Sequence, residues 1–398
     1  MYIPDAVLPY TRRISWCAFL ATLIIASYWF IINNGSLGWY YHIDADVYYE
    51  GGKAFLLGEP LYTQRFSVNG FSLPFTYPPL AAMLFAPMAI TNTVVSAMAL
   101  TAVSIILLWW VAVQMLRATG TDSPKLLALW FMPILLLFEP VRQTLSFGQI
   151  NIMLMALVIA DTIAPRPSWA RPFQGALIGL AAAIKLTPAV FVLFFLFRCQ
   201  WKACAVTIVS FLFYTTIAAV IRWEDSYLYW TSTISDPNRI GGLIYSGNQS
   251  LRGMLVRLIG ADTAQSVWLP LAALIGLIIA LAMWRMRTHA PELVVLNSLV
   301  ALLCSPVSWS HHWVWLVPLT IVAASYCWWW AAIVGFISLA STHWLLSPAR
   351  NAATAWHSWQ HIVGNSYVLL SFLVLAVAIV WPPVRSHTRL STSQVHRI

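Results

Sequence analysis

Two carboxylates one residue apart, Asp44 and Asp46, lie in the stretch His42-Ile43-Asp44-Ala45-Asp46-Val47-Tyr48. Paired acids can take a proton from a hydroxyl, bind a metal or hold sugar hydroxyls. The plainer alternative is the start of a solvated loop. Lys185 interrupts an apolar run at Lys185-Leu186-Thr187-Pro188. On insertion scales a lysine at such a place costs about 2.5–3.5 kcal/mol, so it is paired, functional, or snorkels from a helix end. A cation there can hold a phosphate. Arg142 can do so in bidentate fashion, although Glu139, three residues away, offers it a local partner. His311 and His312 adjoin in Ser308-Trp309-Ser310-His311-His312-Trp313. Successive helical residues diverge by about 100°, which disfavours a shared metal. A hydrogen bond to substrate, or to interfacial water, suits one of them better. Amides at Gly148-Gln149-Ile150-Asn151 and Gly247-Asn248-Gln249-Ser250 add further polar candidates, chiefly Gln149, Asn248 and Gln249. Tyr62 and Tyr77 stand in proline-bearing turns, Gly58-Glu59-Pro60-Leu61-Tyr62 and Pro74-Phe75-Thr76-Tyr77-Pro78-Pro79. Their rings can stack on a sugar or simply pack.

The elements that must position these groups are mostly membrane. The 398-residue chain is 60% hydrophobic and 9% charged, against about 25% charged in soluble domains. The apolar runs are continuous rather than alternating, so the reading is an all-α, polytopic integral membrane protein and not a β-barrel. The net charge of +9 is scattered singly between apolar runs, which reads as topological anchoring and not as a nucleic-acid surface. The 22 Trp and 15 Tyr suit interfacial belts or sugar-stacking surfaces. Cys17, Cys199, Cys204, Cys304 and Cys327 form no CxxC motif, so neither a disulfide framework nor a metal site is expected from them. The first apolar run is too long for a cleavable signal and is read as a span.

Apolar runs of spanning length fall at about 15–33, 94–116, 125–140, 149–164, 203–221, 266–284, 312–327, 328–346 and 366–382. Shorter ones lie at about 78–90 and 293–305, and the run 174–197 is broken at Lys185 and Pro188. Lys and Arg placement puts both ends in the cytoplasm. Inside connections and termini then carry thirteen basic residues against four acids, and outside segments carry eight against nine. This requires the broken run to enter and leave on one side as two short helical halves. The expected architecture is a single domain over 1–398 with about 12 transmembrane segments. Its extracytoplasmic loops, 34–93 and 222–265, form the active site, and 383–398 is a cytoplasmic tail. The unusual polar groups gather at or near the outer surface. No Walker, dinucleotide-binding, HExxH or GxSxG motif occurs, which removes support for nucleotide-driven pumping and for serine or zinc hydrolysis.

The ordered set Asp44-x-x-Val47-Tyr48, Gly51-Gly52, Gly58-x-Pro60-Leu61-Tyr62, Phe75-Thr76-Tyr77-Pro78-Pro79, Gly148-Gln149-x-Asn151, Lys185-Leu186-Thr187-Pro188, Asn248-Gln249-Ser250 and Ser305-Pro306-x-Ser308-Trp309-x-His311-His312 resembles glycosyltransferase family 87. The resemblance runs from about residue 40 to 320. It implies a GT-C type membrane enzyme that takes mannose from polyprenyl-phosphate-mannose on the outer face of the plasma membrane. The acceptor it implies is a phosphatidylinositol mannoside glycolipid, joined in an α-1,2 linkage. By the same resemblance Asp44 is the catalytic aspartate and acts as base in an inverting transfer. The expected substrate-binding set is Asp46, Tyr62, Tyr77, Arg142, Gln149, Lys185, Asn248, Gln249, His311 and His312. No metal or other cofactor is expected, and the partners are the donor, the glycolipid acceptor and the bilayer. A transporter or flippase of a lipid-linked glycan is the second reading. It would need polar groups at several depths of the bilayer, whereas these favour one rim.

Overall fold

Backbone groups in lipid have no water to bond, so apolar runs close their hydrogen bonds within helices. The computed structural model describes residues 42–380 except 237, 238, 240 and 347–355, together with four positions of the first apolar run. The rest of that run and the tail 383–398 therefore lie outside the described residues. The described chain is mostly helical. Three helices are long and apolar enough to cross a membrane: Thr93–Ala118, Trp201–Ile221 and Ala261–Arg285. Two bent pairs, Pro124–Leu137 with Glu139–Phe147 and Ser358–Gly364 with Ser366–Val380, bring the number to five if each is one span. Among the described residues, length and composition thus support three to five spans, and the expected count of about 12 is not confirmed. Over the runs 149–164, 174–197 and 293–305 the helices Asn151–Thr162, Thr187–Phe197 and Ala290–Cys304 have 10–17 residues, below the length of a span.

The helices share a large apolar core that runs from Leu108 in the first long helix to Ala378 in the last. A second, smaller core belongs to the segment that follows the first apolar run. It joins the helix Ile43–Leu57 to Phe75, Tyr77 and Phe85, and is closed from the bundle side by Ile150 and Leu154 and from the helix Trp223–Thr231 by Tyr229. Gly51 and Gly52 make this packing close. A Cβ on Gly51 would lie 2.5 Å from the Phe75 ring, and one on Gly52 would lie 2.5 Å from the Phe85 carbonyl. An antiparallel hairpin, Phe66–Val68 with Phe71–Leu73, departs from the all-helical expectation. Its turn residues Asn69 and Gly70 have φ of 48° and 79°, the left-handed pair that a tight hairpin demands.

The outer connections hold one another. Asp225 accepts from the Leu61 amide at 2.9 Å and pairs with Arg222. Arg222 also donates to the Phe55 and Glu59 carbonyls, which lie at the C-terminal end of the Ile43–Leu57 helix. Arg239 donates to the carbonyls of Tyr62 (3.0 Å) and Phe75 (3.2 Å). Further along, Asn248 accepts the Ser308 amide at 3.0 Å and donates to the Leu243 carbonyl at 3.0 Å. The Gln249 amide donates to the Ser308 carbonyl, and the Ser310 amide to the Gly247 carbonyl. Arg257, fully buried, clamps this junction by donating to the Asn248 carbonyl (2.9 Å) and to Asn365 Oδ1 (2.6 Å). Replacing Asn248 with Ala leaves a buried amide and a buried carbonyl without partners. Each such loss costs about 1–3 kcal/mol, so the N248A protein is expected to melt several degrees lower in detergent. A melting midpoint equal to that of the unaltered protein counts against this clamp.

Candidate active site

Four stretches far apart in sequence meet at one end of the bundle. The helix Ile43–Leu57 presents Asp44 and Tyr48, one turn apart and so on one face. The helix Glu139–Phe147 ends at Gly148, whose φ is +67°. A Cβ there would lie 2.5 Å from the Ala45 Cβ, so glycine lets this corner press against the first-loop helix. The next residue, Gln149, then meets Asp44. Gln149 Oε1 accepts from the Tyr48 hydroxyl (2.9 Å) and the Tyr77 hydroxyl (3.0 Å), which are 2.7 Å from each other. Its amide nitrogen remains to donate to the Asp44 carboxylate. Burial pushes the Asp44 carboxyl up to about 6, while the Gln149 bond and the Lys185 charge pull the other way. A carboxylate so placed is a stronger base than an exposed one and is still ionised at neutral pH.

Lys185 comes from the broken run. The helix Ala176–Ile184 stops where Lys185 turns extended (φ −149°, ψ 127°), and a 3-10 turn, Thr187–Phe191, resumes after it. Pro188 has no N–H to continue the ladder, which explains the break. The freed Lys185 ammonium donates to Asn151 Oδ1 at 3.0 Å and lies 3.3 Å from His312 Nε2. It also lies 5.3 Å from the centre of the Tyr77 ring. An ammonium facing Nε2 places the His312 ring proton on Nδ1. Two of the three ammonium protons are thus directed at protein. Asn151 Nδ2 and Thr144 Oγ1 both donate to the His311 carbonyl, each at 3.0 Å, which fixes the histidine pair. A cleft of about 470 Å³, its mouth included, opens here. Lys185, Asn151, Ser308 and His312 line it together with apolar residues such as Leu302, Phe191 and Trp315.

Of the expected site residues, Asp44, Tyr77, Gln149, Lys185 and His312 come together. His311 lies beside them, buried, with its ring edge-on to Phe147 and His312. Asp46 points elsewhere: two residues along a helix turn it off the Asp44 face, and it accepts from Asn69 at the hairpin tip (3.1 Å). Tyr62 stands behind Tyr77, donating to the Tyr77 carbonyl at 2.7 Å and packing its ring on Phe75 and Tyr229. Asn248 and Gln249 are fully buried in the loop junction. Gln249 Nε2 donates to the Ser246 and Gly364 carbonyls and its Oε1 accepts the Tyr367 amide, so these two side chains are engaged by the protein and stand apart from the Asp44–Lys185 group. Arg142 is half-buried near the Tyr367 hydroxyl. Its neighbour Glu139 is fully buried and accepts from Trp344 Nε1 and the Tyr367 hydroxyl, both at 2.7 Å, with His343 at 3.5 Å. Tyr48 and Asn151 join the centre without having been singled out for a role. Helical spacing from Asp44 was the signal for Tyr48. Among the described residues no group of three or more His, Cys, Asp and Glu side chains is arranged to hold a metal.

A family model described as "Glycosyltransferase family 87" matches residues 75–306, more than half of the chain. The chain belongs to glycosyltransferase family 87. It is therefore a glycosyltransferase, and its apolar helices fit a membrane enzyme. A relative from Mycolicibacterium smegmatis is 37% identical over 87% of this chain and 86% of its own length. One from Mycobacterium tuberculosis is 35% identical over 92% and 91%. Both are named polyprenol-phosphate-mannose-dependent alpha-(1-2)-phosphatidylinositol mannoside mannosyltransferases. A third, from Mycolicibacterium smegmatis, is 32% identical over 81% of this chain and 79% of its own, and is named for a phosphatidylinositol pentamannoside acceptor. No solved structure matches. In this family 87 chain the matched segment contains Tyr77, Gln149 and Lys185, while Asp44 precedes it and His312 follows it.

Gly148→Ala tests the corner that brings Gln149 to Asp44. The added methyl meets Ala45 and the left-handed backbone, and misplacement on the scale of an ångström costs about 10²-fold in rate. The expected outcome is a loss of that order in kcat, with partial recovery in Gly148→Ala/Ala45→Gly. Full activity in the single variant contradicts the close approach.

Proposed function

We propose that this protein transfers mannose from a polyprenyl-phosphate-mannose donor to a phosphatidylinositol mannoside acceptor, forming an α-1,2 linkage on the extracytoplasmic face of the plasma membrane. The donor and acceptor follow the names carried by its relatives. The observation that carries the reading is a carboxylate and an ammonium, Asp44 and Lys185, joined through Gln149 and Tyr77 in one centre. The excess of basic residues on the opposite set of connections supports an outward-facing site.

In this mechanism an acceptor hydroxyl attacks the anomeric carbon from the face opposite the phosphate. Asp44 takes the hydroxyl proton as the new C–O bond forms. The bond from the anomeric carbon to the phosphate oxygen breaks, and its electron pair leaves with polyprenyl phosphate. One displacement inverts the anomeric centre. The leaving phosphate gains negative charge, which the Lys185 ammonium stabilises, with Asn151 and His312 holding that ammonium in place. Tyr48 and Tyr77 hold the Gln149 amide, and that amide aims the Asp44 carboxylate. Neither the fold nor any relative favours the transporter reading.

Asp44→Asn is expected to lower kcat by about 10²–10⁴-fold, the usual contribution of a general base. Since the base is the ionised form, kcat/KM of the unaltered enzyme should rise with pH up to about 6 and level off above it. The Asn variant should lose that limb. Lys185→Met should lower kcat by about 10²–10³-fold without creating a new acid limb. Product analysis after incubation with mannosyl-phosphopolyprenol and phosphatidylinositol mannosides checks both the transfer and its linkage. A D44N enzyme that keeps full activity and the acid limb removes Asp44 as the base.

A further inference from the structure

A second cavity, larger than the catalytic cleft, lies between four helices: Ala290–Cys304, Leu316–Tyr326, Trp328–Ala340 and Ser366–Val380. It measures about 1480 Å³, its mouth included, and its lining is almost wholly apolar. The lining residues Trp330, Ile333 and Leu373 are 36%, 39% and 41% exposed, so the crevice opens sideways from the bundle. A site with this lining offers water few hydrogen-bond partners and offers hydrocarbon close dispersion contacts.

Which hydrocarbon it takes follows from what borders it. The crevice and the catalytic cleft are lined from the same two stretches of helix. Trp315 lines the cleft, while Leu319, Val322 and Tyr326 line the crevice. Their spacing of four, three and four residues keeps them on one stripe. Leu302 in the cleft and Val295 in the crevice, seven residues apart on the neighbouring helix, repeat the pattern. From Trp315 to Tyr326 the helix rises about 16 Å. The crevice therefore lies deeper in the bundle than the Lys185 ammonium. Its far end carries the Glu292 carboxylate, which accepts from the Tyr326 hydroxyl. A phosphate headgroup seated at that end would face a carboxylate. The charge pattern suits a lipid whose anion sits at Lys185 and whose chain alone reaches this depth.

We propose that this crevice binds the distal isoprene units of the polyprenyl-phosphate donor, the proximal units lying in the catalytic cleft. The inference rests on the mannosyl-transfer reading above and assigns that donor a second, separate chain-binding site. It predicts selection for long isoprenoid chains by a surface remote from the chemistry.

The direct test uses the unaltered full-length protein in detergent or vesicles with polyprenyl phosphate carrying a photoreactive group at its terminal isoprene. Labelling mapped to the walls of the crevice, for example Val322 and Leu373, is the expected result. Labelling confined to other faces of the bundle overturns the proposal. A kinetic test compares mannosyl phosphates on a long polyprenyl chain and on a two-unit chain too short to leave the cleft. Ala323→Trp and Ala378→Phe fill the crevice from two different helices. Each should raise KM for the long-chain donor about tenfold, towards the short-chain value, and leave both kcat values and the short-chain KM unchanged. Variants that keep the long-chain advantage intact overturn the proposal, and an ordinary acyl lipid would then be the occupant. Failure of the unaltered protein to transfer from either donor is a different result. It removes the mannosyl-transfer reading and this inference with it.

Discussion

An ammonium group in a membrane segment must be given partners by the protein, because the surrounding hydrocarbon gives it none. Lys185 meets that constraint at a break in its own helix, with Asn151, His312 and the Tyr77 ring around it. Each of these partners comes from a different part of the chain. Satisfying one cation therefore draws together the first outer segment, the Gln149–Asn151 corner and the histidine turn. The Asp44 carboxylate enters the same group through Gln149 and feels the Lys185 charge. A group of opposite charges that stabilises the protein's interior is also one that can hold an acid-labile sugar phosphate between a base and a cation.

Much of this centre was legible before any coordinates. Acids are rare in so apolar a chain, so Asp44 stood out, and a lysine inside an apolar run has few bland explanations. Gln149 and His312 were found in polar motifs at the ends of apolar runs. What could not be read was orientation. Asp46 lies two residues from Asp44, and only the helix Ile43–Leu57 shows that the pair faces two ways. Asn248 and Gln249 looked like ligand-binding amides because polar side chains at a rim commonly are. Beside local carbonyls, their partners include main-chain groups of loops 60 or more residues away, a relation that no local pattern encodes. Conversely, Tyr48 and Asn151 were present in the motifs but acquired meaning only through distant contacts.

The count of spans was the least legible feature. Apolar length was a fair guide for Thr93–Ala118, Trp201–Ile221 and Ala261–Arg285. It leaves the count unconfirmed where apolar runs bend or stop. Phe138 parts two helices that meet at 73°, and Asn365 parts two that meet at 77°. The apolar runs 125–140 and 366–382 stop at these bends, and the short helices beyond them are too polar to stand out by hydropathy. The same breaks create the site, since Gly148, Lys185 and the Ser305–Trp309 turn all lie where a helix ends.

The contacts that complete the centre span large loops of chain. Tyr48 and Gln149 are 101 residues apart, and Asn151 and the His311 carbonyl 160. Closing loops of that size is an entropic cost that the chain meets only once the intervening helices have packed. During biosynthesis the N-terminal part can insert and fold for some time with its carboxylate in place but its cation unfixed. The last third of the polypeptide, carrying the histidine turn, has to reach the membrane before the two opposite charges are held in register. Catalytic competence in this chain is thus a late event of assembly, acquired in one step by the whole bundle.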